Sequence, residues 1–301
     1  MQKKRILLIG GAGTLGSDIL DADLPDYELF VIDNFSESAL SEDELARKVP
    51  YKKISVADKH DLIKIFQEFK PDVVLYLATT LSQDQMRCYE SNVLGMANTI
   101  EVAEKTTKPY VIYIQSFLTR NCESTITVDS SVEAKDSYAT WKLATEYLIN
   151  AYSGCHTTLV LASVLSPRLS VGAIPAFINR IQNNEPIRIT DTLRDYITSK
   201  MFISALSALI ENEINNKIEV LGSNKPINTV EILKKTASAL GKNIDSLNYE
   251  IIQPKSSDPK AVVIENSVRL INNTENLNID LSVNDIVTTF IESKKKARLH
   301  H

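Results

Sequence analysis

The stretch Ile6–Leu20, ILLIGGAGTLGSDIL, decides how the rest of the chain is read. An aliphatic run ends in a turn carrying Gly10, Gly13 and Gly16, and the turn opens into a helical pattern. A strand, a glycine turn and a helix N-terminus in that order bring backbone N–H groups against a pyrophosphate, where side chains would obstruct the approach. Gly10, Gly13, Thr14, Leu15 and Gly16 are therefore candidate cofactor contacts. The next apolar run, LFVIDN, ends on Asp33 and Asn34, with Asp33 17 positions beyond Gly16. A carboxylate there accepts hydrogen bonds from the adenosine ribose hydroxyls and repels a 2′-phosphate. No lysine or arginine follows until Arg47, so NAD(H) is favoured over NADP(H).

Working outward, the runs RILLIG, ELFVID, YKKISV, DVVLYLA, YVIYIQS and TTLVLAS alternate with amphipathic helical patterns. Continuous apolar runs separated by helices predict an α/β fold with a parallel sheet covered on both faces. Right-handed crossovers wind it into a Rossmann-type, doubly wound sheet. After Ser163 the pattern breaks. VLSPRLSVGAIPAF reads as a loop before a short helix, and LRDYITSKMFISALSALIEN as a short strand or loop and then a helix. KIEVLG reads as a strand, and NTVEILKKTASALG as a helix capped by Asn228 or Thr229 and closed by Gly241. The expected division is an NAD-binding domain of residues 1–163 plus 191–215, and a smaller C-terminal substrate lobe of 164–190 and 216–297. Residues 298–301 read as a tail; His300 and His301 are treated as a tag remnant and excluded from metal binding.

Composition narrows the class. The chain has 301 residues, a formal charge of −5 and a pI near 5.5, which argues against a nucleic-acid surface. Cys88, Cys122 and Cys155 are far apart, odd in number and without metal-ligand spacing, so they read as reduced thiols of a cytoplasmic protein that uses no metal. No apolar segment is long enough for a signal peptide or a membrane span.

SYATWK, Ser137–Lys142, places Tyr138 and Lys142 four residues apart, a spacing common on helices of every kind. In company with the glycine turn and a strand ending in Ser116, it resembles the extended short-chain dehydrogenase/reductases. The closer resemblance is to the NAD-dependent epimerase/dehydratase family, which acts on nucleotide sugars. YLAT resembles that family's HLAA strand, SNVLGMANTIEVA its NVxGT helix, and RDYI and VLGSNKPINTVEIL its two C-terminal landmarks.

The resemblance implies that Tyr138 is the acid/base, that Lys142 lowers its pKa and holds the nicotinamide ribose, and that Ser116 holds the substrate oxygen. Asn92 would position the lysine helix. Val56, Leu77, Ala78 and Thr79 would line the cofactor, and Ser163 and Arg194 the substrate. It further implies a nucleoside-diphosphate sugar substrate, a role in polysaccharide biosynthesis, and a homodimer through the helices containing Asn92 and Tyr138. The apolar positions Val93, Met96, Ala97, Leu143, Tyr147 and Leu148 suit such a dimer or a face against the sheet. A free tyrosine has a pKa of about 10, and the Lys142 ammonium with the positive nicotinamide is expected to bring it down.

The chain also departs from the family pattern. Ser55 stands where an acidic residue usually meets adenine. Ser163 replaces an asparagine, Leu165 a tyrosine and Thr198 a histidine. No arginine is evident to clamp the diphosphate near the C-terminus; Lys255, Lys260, Arg188 and Arg194 are the alternatives, with Arg188 equally readable as a structural ion pair. Phe117 and Leu118 follow Ser116 where dehydratases and decarboxylases carry acidic residues, so elimination lacks its general acid. The expectation is an NAD-dependent epimerase acting at C4 through a 4-keto sugar. The alternatives are an NAD(P)H-dependent reductase of a 4-keto-6-deoxy nucleotide sugar and a non-catalytic NAD-sensing protein.

Overall fold

The aliphatic residues Lys4–Ile9 form β1, around which the central sheet is laid. The computed structural model describes residues 3–299, apart from 23, 81, 124, 213–217, 254–260 and 268–277. In chain order the next strands are β2 (Tyr27–Asp33), β3 (Tyr51–Lys53), β4 (Val73–Tyr76), β5 (Tyr110–Ser116) and β6 (His156–Leu161). β2 and β3 extend the sheet to one side of β1, and β4, β5 and β6 to the other, all parallel. The direction of winding reverses between β1 and β4. In sheets of this kind ligands bind at that switch, outside the carboxyl ends of the strands.

Alternation along the strands divides the core. Leu8, Leu75 and Ile112 face one side of the sheet, while Leu7, Val74 and Val111 face the other. Helices α1 (Thr14–Asp21), α2 (Glu42–Ala46), α3 (Lys59–Phe69), α4 (Gln85–Cys88), α5 (Gly95–Glu104) and α6 (Ser137–Ile149) connect the strands and cover them. Between α4 and α5 the helix widens into a π-helical segment, Tyr89–Leu94, which contains Asn92.

Beyond β6 come β7 (Ser163–Leu165), α7 (Ala173–Gln182), β8 (Ile187–Thr190), β9 (Leu193–Arg194), β10 (Tyr196–Thr198) and α8 (Ser199–Asn212). α8 returns to the sheet and buries Phe202, Ala205 and Leu209 in its first core. β11 (Ile218–Leu221), β12 (Ile227–Asn228), α9 (Thr229–Ala239), β13 (Tyr249–Ile252) and α10 (Ile279–Leu299) follow. A separate core joins Phe177, Ile187, Ile232 and Ile286 from α7, β8, α9 and α10. Asn228 caps α9 by accepting from the Val230 N–H at 2.7 Å, and Gly241 takes a φ of +69° just past its end.

The expected division placed residues 216–297 in the substrate lobe. β11 departs from it: Ile218–Leu221 pairs parallel with β6 and is the seventh strand of the central sheet. Val220 and Leu221 lie wholly in the sheet's own core, which is why this short run is drawn to the sheet edge.

The two regions meet at buried polar groups. Asp195, between β9 and β10, accepts from the N–H groups of Ser223 (2.8 Å), Asn224 (3.1 Å) and Ile264 (3.0 Å). It is fully buried and ties two distant stretches, 223–224 and 264, to one carboxylate. Asp18 on α1 accepts from the hydroxyls of Ser166 (2.9 Å) and Ser199 (2.7 Å). Burial raises its pKa to about 6, opposed by those two hydroxyls and by the charge of Arg168.

A carboxyl held above its unfolded value of 3.8 stabilises the fold through its protonated form, and that stabilisation is lost as pH rises through about 6. Asp18→Asn is therefore expected to match the parent near pH 4 and to exceed it by roughly 2 kcal/mol above pH 7. Thermal melts of both proteins from pH 4 to 8 check this; a constant difference across the range would refute it.

Candidate functional site

The carboxyl ends of β1, β2, β4, β5 and β6 open into a cleft of about 1460 Å³. That exceeds the 300–1,000 Å³ typical of a single small-molecule site. At its floor Gly10 adopts a φ of +79°, and a Cβ there would lie 2.7 Å from the Ala78 backbone. Only glycine permits β1 and the end of β4 to approach this closely. Gly13, Thr14, Leu15 and Gly16 line the same wall at the start of α1, with Leu77, Ala78, Thr79 and Val56 opposite.

Asp33 ends β2 and lines the cleft beside Asn34. One of its carboxylate oxygens accepts from the Ala12 N–H at 2.9 Å and the other from the Phe35 N–H at 2.8 Å. Burial raises its pKa, and these N–H groups oppose the shift. Asp33 thus pins the glycine turn and the next loop while presenting its carboxylate to the cleft. Glu37 adds a second acidic residue to that wall and accepts from the Thr80 hydroxyl. No sequence motif points to Glu37, which lies in a loop of no fixed spacing. Ser55, in the place of the usual adenine acid, turns its hydroxyl to the Ala57 N–H at 3.2 Å.

At the other end, Ser116 closes β5, and its hydroxyl accepts from the Leu118 N–H at 3.2 Å on the side of the cleft where Tyr138 stands. Tyr138 and Lys142 occupy successive turns of α6, whose first turn is fixed by Asp136 accepting from the Ala139 N–H at 2.7 Å. Ser116, Tyr138, Lys142, Ser163 and Arg194 all line the cleft. Asn92 does not. It is buried behind, where its side-chain oxygen accepts from the Thr79 hydroxyl (2.9 Å) and its carbonyl from the Thr145 hydroxyl on α6 (2.7 Å).

The electrostatics differ from expectation. Burial pushes the Tyr138 hydroxyl up to about 12, the charge of Asp136 adds to the rise, and the nearby Ser116 hydroxyl opposes it. The Lys142 ammonium is pushed down to about 7 by burial, against the pull of Glu146. Its Nζ donates to the Ile114 carbonyl at 2.6 Å and lies 4.5 Å from the centre of the Tyr113 ring. Both groups sit in a low-dielectric wall, so the protein alone does not bring the phenol toward neutrality.

Arg188 pairs with Glu250 at 2.5 Å, both largely exposed. Arg180 and Arg194 line the cleft, donating to the carbonyls of Pro186 (2.7 Å) and Leu193 (3.0 Å). Lys255 and Lys260 lie outside the described residues. Met96 packs into the sheet's second core, and Leu143 is buried. Tyr147, 63% exposed, faces outward, as do Met86 and Tyr89 on the neighbouring helices.

The profile of the NAD-dependent epimerase/dehydratase family matches residues 6–222. The chain belongs to that family. This epimerase/dehydratase member is 23% identical to Protein CapI of Staphylococcus aureus over 97% of its own length and 100% of that protein's. Among solved structures it is similar to the Bordetella bronchiseptica enzyme WbmG in complex with NAD and UDP. There the TM-score is 0.86 at 24% identity, with 97% of this chain and 96% of that one covered. A second similar structure is UDP-N-acetylglucosamine 4-epimerase from Methanobrevibacter ruminantium, with a TM-score of 0.83 at 21% identity, covering 97% of this chain and 100% of that one. The epimerase/dehydratase member is an enzyme of the extended short-chain dehydrogenase/reductases that uses NAD. Its cleft fits the cofactor: a Cβ-free cradle at Gly10 for the pyrophosphate, and the carboxylates of Asp33 and Glu37 on the ribose wall. Among the described residues no helix is long and apolar enough to cross a membrane.

Proposed function

We propose that this enzyme inverts C4 of a UDP-sugar through a 4-keto sugar, with Tyr138 as acid and base. The observation that carries it is that Ser116 and Tyr138 line one end of the cleft together, while Phe117 and Leu118 put no carboxylate directly after Ser116. Asp136, the carboxylate nearest in sequence to Tyr138 that lines the cleft, is committed to capping α6. Elimination of water needs an acid and a base of its own, whereas C4 inversion needs only one proton shuttle.

Bound NAD supplies the hydride acceptor and donor, and its positive ring lowers the phenol's pKa. Tyr138 removes the C4 hydroxyl proton as the hydride leaves that carbon. Ser116 holds the same oxygen and stabilises its charge. The 4-keto sugar turns over in the cleft, receives the hydride on its other face, and recovers the proton from Tyr138. Gly10 to Gly16 hold the pyrophosphate, Asp33 the adenosine ribose, and Leu77 to Thr79 the rest of the cofactor channel. Lys142 holds the nicotinamide ribose once it exchanges the Ile114 carbonyl for it. Ser163 and Arg194, joined by Arg180, face the nucleotide end of the substrate. A homodimer through α4, α5 and α6 covers Met86, Tyr89 and Tyr147, and the free thiols suit the cytoplasm.

Incubating the protein with UDP-glucose or UDP-N-acetylglucosamine in D₂O tests the mechanism by proton NMR. The expected product is the C4 epimer with protium retained at C4 and C5, and NAD released on denaturation. A product that has lost water and taken up deuterium at C5 would replace C4 epimerisation with dehydration.

A further inference from the structure

Directly behind Ser116 and Tyr138 lies a buried ion pair that the proton shuttle does not use. Arg120 follows the short 3₁₀ turn Phe117–Thr119, and its side chain is entirely shielded from solvent. Its Nη2 meets Glu146 Oε1 at 2.8 Å. Glu146 stands one helical turn beyond Lys142, so Tyr138, Lys142 and Glu146 form a single stripe along α6.

Two arms run from this pair to Ser116. In the first, the other Glu146 oxygen accepts from Gln115 Nε2 at 2.7 Å. The same amide donates to the Lys142 carbonyl at 3.0 Å, and Gln115 Oε1 accepts from the Ser116 N–H at 2.9 Å. In the second, Arg120 Nη1 donates to the Thr119 hydroxyl at 3.0 Å, and that hydroxyl donates to the Ser116 carbonyl at 2.7 Å. Both main-chain polar groups of Ser116 are therefore held by a network rooted in the helix that carries Tyr138 and Lys142.

Stability alone does not account for the pair. A buried ion pair is often matched or bettered by apolar side chains of similar volume. Arg120 Nε, moreover, is buried without a hydrogen-bond partner. We infer that Arg120 and Glu146, acting through Gln115 and Thr119, are positioning residues that hold Ser116 in register with Tyr138 and Lys142.

The test compares Arg120→Met/Glu146→Met with the parent protein, since each single change strands a buried charge. Its kinetic arm rests on the C4-epimerase reading. The double variant is expected to keep its NAD content and thermal midpoint but to lose about 10- to 100-fold in kcat, with KM for the UDP-sugar within about twofold. A second arm needs no substrate: tyrosinate absorbance of the NAD-loaded proteins, with Tyr138→Phe subtracted, gives the Tyr138 titration. The other titratable groups around that phenol are Asp136, Tyr113 and Lys142. With Ser116 released, Tyr138 is expected to titrate higher than in the parent. If the parent turns over no UDP-sugar, the epimerase reading fails while this arm still reports. Thr119→Val removes one arm and leaves the ion pair, and is expected to move both readouts the same way if the double variant does not fold. Parental kcat and parental titration in a folded double variant, or in Thr119→Val, would overturn the assignment.

Discussion

Replacing Tyr138 by phenylalanine is expected to lower epimerisation about 10³-fold, within the 10²–10⁴ range of a lost general acid–base group. NAD binding should be unchanged, because the glycine turn and Asp33 at the other end of the cleft are untouched. No neighbour can take its place: the Ser116 hydroxyl is a far weaker acid, and Lys142 Nζ is engaged by the Ile114 carbonyl or, on the proposed reading with NAD bound, by the nicotinamide ribose. The pH profile carries a second signature. Burial holds the phenol's proton tightly, so the parent's rate should climb with pH until the phenol ionises, and the variant's residual rate should not. Initial rates by NMR at several pH values, with the bound cofactor quantified in each preparation, check both. A Tyr138→Phe rate within tenfold of the parent would assign the base elsewhere.

The largest stability effect is expected at Asp195. Asp195→Ala strips the acceptors from three N–H groups and the Ser223 hydroxyl, and the Ile264 N–H is itself buried. A buried donor left unpaired costs about 1–3 kcal/mol, and the lost charge-assisted bonds raise the total to about 3–5 kcal/mol. For a chain of this size that lowers the thermal midpoint by roughly 5–8 °C. Asp195→Asn restores only part of it, since its amide group meets donors where the carboxylate offered acceptors. The loss should extend to the cleft, because Asp195 sits between Arg194 and Tyr196, both of which line it. Calorimetric melts of the two variants would decide; a fall below about 1 kcal/mol for Asp195→Ala would mean the loops find other partners.

The contrast between these two residues shows what local sequence carries. Tyr138, Lys142 and the glycine turn are visible because their chemistry is packed within one helix or one strand-turn-helix, where spacing reports geometry. Asp195 stands in a recognisable stretch, yet its partners lie 28, 29 and 69 residues away, and no local pattern announces them. Arg120 is harder still: an arginine after a strand reads as solvated, and only the fold brings Glu146 from 26 positions further along to bury it. β11 joins the central sheet and not the substrate lobe for a related reason, since a strand's own residues do not reveal which sheet edge it will join. The charge states were the least accessible part. A tyrosine and a lysine one turn apart suggest mutual stabilisation, but how far each is desolvated depends on the wall around them.

Asp33 constrains how this enzyme can evolve. The carboxylate that lines the cleft is the same group that fastens Ala12 and Phe35, so on the proposed reading cofactor choice and loop architecture share one side chain. In a protein where those duties are separate, one substitution can begin a drift toward a phosphorylated cofactor. Here the first step along that path loosens the turn that both cofactors need. A lineage adopting NADP would have to rebuild the loop around Phe35 and Glu37 before it could profit from losing Asp33.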